Sequence, residues 1–296
     1  MTLDAVTKPE DARSEIASLK EILRTNQDDS EAWRGIGYWS LRLGKNTDAI
    51  SAYKRALAID QDDYDAWMGL GTALFSLGKD GTALLFLKRF RSACDAYSVA
   101  ISKAPDSAEP YYCKGLVLFL IGDTEMQYGN ARRSTDSYLE AIDTFESAPG
   151  RDSDVRIMRC MGHVRTAIGR HEGTQGNIPY ALEMCEAAIK AYERALGMDP
   201  DDWDAWYYHA KALLLAGGLE AKQDNTQRSR AMYYRAIASY KRAIGINKND
   251  SEAMRGIKDA NRLLRNAQRS EYDDIEDEEP EDEEYGAGGE TSMRPY

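Results

Sequence analysis

The sequence predicts an all-α protein, a right-handed superhelical solenoid built from helical hairpins. The first observation behind this prediction is a recurring frame in which a bulky residue precedes a small one by four positions. The second is a later frame that consists of Ala, three residues, an aromatic residue, two residues and another Ala. The third is the punctuation between frames, as in Pro200-Asp201-Asp202, because Pro cannot continue a helix and Asp favours helix N-termini.

The first frame occurs five times and predicts the first helix of each hairpin. Two copies, EAWRGIGYWSLRLGK and DAWMGLGTALFSLGK, match closely and lie 34 residues apart. The bulky residues are Trp33, Trp67, Tyr111, Met158 and Trp206, and the small ones are Gly37, Gly71, Gly115, Gly162 and Ala210. A Gly inside a helix costs about 1 kcal/mol relative to Ala and usually has a packing reason. We therefore expect two helices to approach closely at these positions.

The second frame predicts the second helix of each hairpin. Its aromatic residues are Tyr53, Tyr97, Phe145, Tyr192 and Tyr240, and its closing alanines are Ala56, Ala100, Ala148, Ala195 and Ala243. Bulky residues that recur at helical spacing form one apolar face, so we expect the aromatic rings to fill the space between helices.

Together the two frames resemble the tetratricopeptide repeat, which has W-x-x-L-G at its start, A-x-x-x-F later and Pro at its end. The resemblance covers roughly residues 30 to 265, and the fourth copy departs most, with Met158 where Trp is usual. It implies tetratricopeptide-type hairpins in five units, at about 30–63, 64–107, 108–154, 155–202 and 203–250.

The later units are longer than the first. From the bulky residue to the first Ala of the second frame the spacing is 16 residues in the first unit, 26 in the second and 30 in the other three. Fourteen extra residues are close to four helical turns, two in each direction. We therefore expect hairpins whose helices are each about 10 Å longer, with short turns near Gly129, Gly176 and Asn225. The turn of the second unit cannot be placed from its sequence.

Both ends of the repeat array have distinct predictions. Residues 1–8 are expected to be flexible, and residues 9–29 to form an N-terminal capping helix that begins at a capping box, Thr7 to Glu10. Residues 251–270 are expected to form a C-terminal capping helix, because solenoids need a polar-backed end. Residues 271–296 hold 12 acidic residues and one base, Arg294, and so predict a disordered acidic tail. This tail either keeps the protein soluble or docks on a basic patch of the fourth unit, formed by Arg156, Arg159, Arg165 and Arg170.

Composition argues against several function classes. The tail accounts for most of the net charge of −12, so the near-neutral body has no general attraction to nucleic acid or anionic membranes. The start lacks the basic head and apolar run of a signal peptide, and the longest apolar stretch is too short to span a bilayer. We expect a cytoplasmic protein with reduced thiols at Cys94, Cys113, Cys160 and Cys185.

The residue inventory predicts no enzyme, no cofactor and no metal. The three histidines have no Asp, Glu or Cys at ligand spacing, and the G-x-G pairs lie inside predicted helices rather than after a strand. We expect a non-enzymatic scaffold or adaptor that binds a protein partner, as a peptide or helix, in its concave groove, with self-association as a further possibility. The alternative is a helical-repeat protein that binds single-stranded RNA.

The groove is expected along the concave face of the first helices, with an aromatic and apolar lining and basic patches in the first and fourth units. Such a surface would suit an amphipathic helix or an extended peptide that carries some acid. In the opposite interpretation, several of these residues pack against the lengthened hairpins and never contact a ligand. The candidate residues are Arg34, Tyr38, Met68, Thr72, Phe75, Tyr112, Phe119, Arg159, His163, Tyr207 and Lys211.

Overall fold

A computed structural model describes residues 8–78 and 83–276, and within them it contains twelve α-helices, one 3₁₀ turn and no β-strand. This confirms the predicted fold class, an all-α solenoid of tetratricopeptide-type hairpins. The flexible segment predicted at the N-terminus falls almost wholly outside the described residues, as do most of the acidic tail and the turn of the second unit. The helices are α1 Pro9–Thr25, α2 Ser30–Arg42, α3 Asn46–Ile59, α4 Tyr64–Gly78, α5 Ala83–Lys103, α6 Ala108–Gln127, α7 Ala131–Glu146, α8 Val155–Gln175, α9 Ile178–Met198, α10 Trp203–Ala221, α11 Thr226–Ile246 and α12 Ser251–Glu276.

The helices pack in the order of the chain. Five hairpins form from α2/α3, α4/α5, α6/α7, α8/α9 and α10/α11, with α1 against the first hairpin and α12 against the last. The first helices also touch one another, α2 with α4, α6 with α8, α8 with α10 and α10 with α12. These even-numbered helices therefore share one surface of the solenoid, and that surface carries the candidate residues.

In the first four hairpins, a glycine of the first helix lies close to the aromatic residue of the second helix. A Cβ atom on Gly37 would lie 2.8 Å from the Tyr53 ring, and one on Gly162 would lie 2.6 Å from the ring of Tyr192, which is fully buried. Real Cβ atoms are essentially never this close to another heavy atom. The close approach predicted at the small residues is therefore confirmed.

The later hairpins are longer, as predicted. In the first hairpin the helices have 13 and 14 residues, whereas α8 and α9 have 21 each. The added turns contain a second layer of the same contacts, seven residues farther along. A Cβ on Gly122 would lie 2.4 Å from the Tyr138 ring, and one on Gly217 would lie 2.6 Å from the Tyr233 ring.

The turns of the three longest hairpins share one construction. The residue before the second helix cap has a left-handed backbone, with φ of +77° at Gly129, +85° at Gly176 and +58° at Asp224. The Asn that follows donates its side-chain amide to a Glu carboxylate five residues earlier, over 2.7 to 2.9 Å. These pairs are Asn130 with Glu125, Asn177 with Glu172, and Asn225 with Glu220. The turns are therefore short and ordered, at the positions that the sequence predicted.

Two predictions about the ends need correction. Lys8, rather than Thr7, occupies the N-cap of α1, because Pro9 is the first helical residue, and the Lys8 side chain makes no capping hydrogen bond. At the other end α12 continues to Glu276, so the predicted disorder is wrong for residues 271–276, and the remainder of the acidic tail lies outside the described residues.

Candidate binding groove

One groove lies between α1, α2 and α4, and we call it the N-terminal groove. Its volume is about 990 Å³. The lining residues include four of the predicted site residues, Arg34, Tyr38, Met68 and Thr72. It is also lined by Leu19, Ile22, Asp29, Glu31, Ala32, Gly35, Trp39, Leu41, Tyr53, Asp65 and Gly69.

The floor of this groove is apolar and partly open to solvent. Tyr38 is 49% exposed and Ile22 is 45% exposed. The Tyr38 ring meets Trp39 edge to face, with 5.0 Å between the ring centroids. Gly69 leaves room for the Tyr53 ring, since a Cβ there would lie 2.2 Å from it. Exposed apolar side chains that cluster around a concavity are typical of an interaction surface rather than of a closed core.

The charge of the N-terminal groove differs from the prediction. The Arg34 guanidinium lies 3.1 Å from the Asp63 carboxylate and 3.4 Å from that of Asp65, so its positive charge is already paired. The remaining charged residues around the groove, Asp29 and Glu31, are acidic. The basic patch predicted for the first unit is therefore wrong, and the groove has an acidic rim.

A second concavity, which we call the central cavity, lies between α6, α8 and α10. It has a volume of about 490 Å³. Five predicted site residues line it, Tyr112, Phe119, Arg159, His163 and Lys211. The other lining residues are Leu116, Leu120, Asp123, Cys160, Thr166, Ala167, Arg170, Asp204 and Tyr208.

His163 lies at the centre of an aromatic cluster in this cavity. Its ring stacks on Phe119, with 6.1 Å between centroids, and meets Tyr208 edge to face at 4.2 Å. Its Nδ1 is hydrogen-bonded to the Tyr192 hydroxyl at 3.0 Å. Burial, reinforced by the positive charge of Arg159, lowers the pKa of His163 to about 3. The ring is therefore neutral at physiological pH and contributes shape rather than charge.

Arg159 repeats the role of Arg34 in a later unit. Its guanidinium lies 2.8 Å from Asp202 and 3.6 Å from Asp204. Asp202 caps α10 by accepting a hydrogen bond from the backbone N–H of Ala205, just as Asp63 caps α4. Both arginines thus link a first helix to the cap of the next first helix. The basic patch predicted from Arg159 is neutralised by these ion pairs.

Two cations of the central cavity have no ion pair within the described part of the chain, Arg170 and Lys211. The Lys211 ammonium lies 5.2 Å from the ring centroids of both Tyr207 and Tyr208. Burial lowers the pKa of Lys211, and the nearby charge of Arg170 lowers it further. Asp123 is held by the Tyr138 hydroxyl, which donates to it over 2.6 Å. The cavity therefore combines aromatic walls with positive charge that lacks a close counterion.

The remaining two predicted residues line neither concavity. Phe75 packs in the core against Phe90, with 5.0 Å between ring centroids. Tyr207 is buried and donates its hydroxyl to Glu252 of α12 over 2.7 Å. Its neighbour Tyr208 lines the cavity in its place. For these positions the alternative interpretation holds, since they pack within the solenoid.

The four cysteine thiols of the chain are unreactive because of their surroundings. Burial raises the pKa of all four cysteine thiols to about 12, so their reactive thiolate forms are scarce at neutral pH. Within the described ranges no group of three or more His, Cys, Asp or Glu side chains is arranged to hold a metal ion. None of the helices in those ranges is both long and apolar enough to cross a membrane.

Comparison with known proteins agrees with the repeat geometry. Family models described as "TPR repeat" and "Tetratricopeptide repeat" match residues 40–78 and 174–251, respectively. No curated protein matches the sequence.

Several solved structures are similar to the chain. A thermophilic tetratricopeptide-repeat protein from Thermus thermophilus is 19% identical, with a TM-score of 0.47, 69% of this chain covered and 92% of that one. MamA from Desulfovibrio magneticus RS-1 is 17% identical, with a TM-score of 0.48 and coverages of 75% and 97%. YrrB, described as having an unusual peptide-binding site, is 15% identical, with a TM-score of 0.46 and coverages of 82% and 99%. The family models thus identify tetratricopeptide repeats at residues 40–78 and 174–251, and the helical hairpins between these two segments have the same architecture.

Proposed function

We propose that the protein is a non-enzymatic scaffold that binds an apolar segment of a partner protein, flanked by basic residues, in the N-terminal groove. The observation that carries this proposal is the exposed apolar floor around Tyr38 and Ile22 beneath an acidic rim. Helical-repeat solenoids use their extended concave surfaces for binding, and the tetratricopeptide fold is in general one that supports protein–protein interaction.

The shape of the groove favours an amphipathic helix or a short extended peptide. A volume of about 990 Å³ accommodates a few large apolar side chains, and such anchors in a desolvated pocket dominate most interface energies. The acidic residues Asp29 and Glu31 favour Lys or Arg beside these anchors, because complementary charge raises the association rate and discriminates between partners. This partner chemistry replaces the acid-bearing peptide that the sequence suggested for the first unit.

A random-peptide selection tests the proposal with a defined probe. The full chain is used to select from a phage-displayed library of 15-residue peptides, and enriched peptides are then titrated by fluorescence anisotropy. We expect apolar residues at helical or alternating spacing with adjacent Lys or Arg. Tyr38→Ser should weaken binding by at least about tenfold, or about 1.4 kcal/mol, because it removes an aromatic floor residue.

The control is an equally exposed tyrosine outside the groove. Tyr234 on α11 is 53% exposed, and Tyr234→Ser should leave affinity unchanged. Circular-dichroism melts confirm that both variants stay folded. Selection of acidic peptides, or equal affinities of the Tyr38→Ser and Tyr234→Ser variants for the enriched peptides, would exclude this groove as the binding site.

A further inference from the structure

The central cavity contains positive charge that the rest of the described chain does not neutralise. Arg170 is exposed, Lys211 is half-buried, and neither has a carboxylate within ion-pair distance among the residues described. The carboxylates that face them are Asp123, which is engaged by Tyr138, and Asp204, which lies beside Arg159 and His163. Glu252 on α12 accepts a hydrogen bond from the Tyr207 hydroxyl. An additional carboxylate could therefore pair with Arg170 or Lys211 without displacing an existing ion pair.

The helices α8, α10 and α12 run in the same direction, so α12 ends on the side of the solenoid where Arg170 lies on α8. Arg159 near the start of α8 contacts Asp202 at the cap of α10, and Tyr207 near the start of α10 contacts Glu252 in the first turn of α12. The N-terminal ends of the three helices thus lie side by side, and their C-terminal ends point the same way. The helix α12 ends at Glu276, and Arg170 lies near the C-terminal end of α8, so both lie towards the C-terminal ends of these helices.

The distance can be bridged by the residues that follow. At 1.5 Å per residue, Glu276 lies about 36 Å along the axis from the level of Glu252, and Arg170 lies about 16 Å from the level of Arg159. Two helix spacings add about 20 Å sideways, so the gap is about 28 Å. An extended segment covers about 3.5 Å per residue, so Glu284, eight residues beyond Glu276, can reach Arg170.

We propose that the central cavity binds the chain's own acidic segment, residues 277–296, through Arg170 and Lys211. This segment has eight acidic residues and one base, which complements the unpaired cations. The ligand class is a carboxylate side chain, seated among Tyr112, Phe119 and Tyr208. The basic patch predicted from the sequence for such docking is therefore smaller than expected. Arg156 and Arg159 are ion-paired, and Arg165 pairs with Glu146.

The test uses competition between the tethered segment and a free copy of it. A fluorescein-labelled peptide of residues 277–296 is titrated with the full wild-type chain and with a full-length variant in which all Asp and Glu at 277–284 become Asn and Gln. A tethered ligand has an effective concentration of about 1 mM. If the free peptide binds at about 100 µM, the neutralised chain should bind it roughly tenfold more tightly than the wild type does.

Substitutions in the neutralised chain locate the site. Arg170→Gln and Lys211→Gln should each weaken peptide binding several-fold, whereas Lys190→Gln, an exposed lysine on α9, should not. Binding should decrease when salt rises from 0.05 to 0.5 M, because the shorter Debye length screens exposed charges. Equal peptide affinity for the wild-type and neutralised chains, or no effect of Arg170→Gln and Lys211→Gln, would overturn the proposal. Carbodiimide-linked dimers whose yield rises with protein concentration would also overturn it, since they would place the segment on a second copy.

Discussion

Neighbouring glycines on α10 offer a direct measure of the close packing inside the hairpins. Gly217 and Gly218 occupy the same helix, so Ala gains about the same helix propensity at either position, about 1 kcal/mol. Their surroundings differ. A Cβ on Gly217 would lie 2.6 Å from the Tyr233 ring and 3.2 Å from the Met232 Cβ, whereas a Cβ on Gly218 would meet nothing within 4 Å. Tyr233 is buried and cannot move aside into solvent.

The expected effects therefore have opposite signs. Gly218→Ala should stabilise the protein by about 0.5–1 kcal/mol, because the gain in propensity is unopposed. In Gly217→Ala, overpacking against Tyr233 should cost about 1–3 kcal/mol of stability. This cost cancels or exceeds the gain in helix propensity. The difference in the free energy of unfolding between the two variants should be about 1–3 kcal/mol.

Urea titrations followed by far-ultraviolet circular dichroism measure this difference. The m-value serves as a check, because an unchanged slope shows that both variants unfold over the same surface. Solenoids can unfold segment by segment, so the comparison is made on the transition that includes α10 and α11. Equal stabilities of the Gly217→Ala and Gly218→Ala variants would refute the assignment of Gly217 to a tight helix contact.

Two further outcomes are expected. Asp224→Gly should raise the melting temperature in differential scanning fluorimetry, because glycine relieves the left-handed backbone, with a gain of up to about 1 kcal/mol in stability. Gly176→Ala at the corresponding turn should lower the melting temperature, and melting temperatures equal to that of the wild type would contradict the shared turn construction. Stability should fall as pH drops from 6.5 towards 3, because burial lowers the pKa of His163 to about 3, so that in this pH range His163 is protonated in the unfolded chain but not in the folded one. Urea midpoints at several pH values should show a smaller loss of stability for His163→Phe than for the wild type.

The hairpins could be predicted from the sequence because side-chain volume marks where helices meet, and their lengthening could be predicted from the spacing between the two frames. A small residue opposite an aromatic one, as at Gly162 and Tyr192, fixes where two helices meet. The second layer of contacts was also available as a signal, since Gly122 follows Gly115 by seven residues and Tyr138 precedes Phe145 by seven. Seven residues are close to two helical turns, so this spacing places the same residue types on the same helix face.

The state of the groove could not be predicted in the same way, because it depends on contacts between units. Tyr207 and Tyr208 are adjacent aromatic residues, and only the packing of α12 on α10 decides which one faces the cavity. The ion pairs of Arg34 and Arg159 reach 29 and 43 residues ahead, so no fixed offset from the arginine reveals them. The position of the acidic partner is constant when it is counted from the bulky residue of the next unit. Asp63 precedes Trp67 by four positions, and Asp202 precedes Trp206 by four.

The lengthening of the hairpins gives the two concavities different properties. The added segments are close to whole helical turns. The first helices of the later hairpins therefore keep the same face towards the concave surface, and that face is about 10 Å longer. The N-terminal groove, beside the short first hairpin, leaves Tyr38 about half exposed. The longer α6, α8 and α10 enclose the central cavity more fully, which buries His163 and Lys211 enough to lower the pKa values of both. Arg170, one of the unpaired cations of this cavity, lies in the added turns of α8.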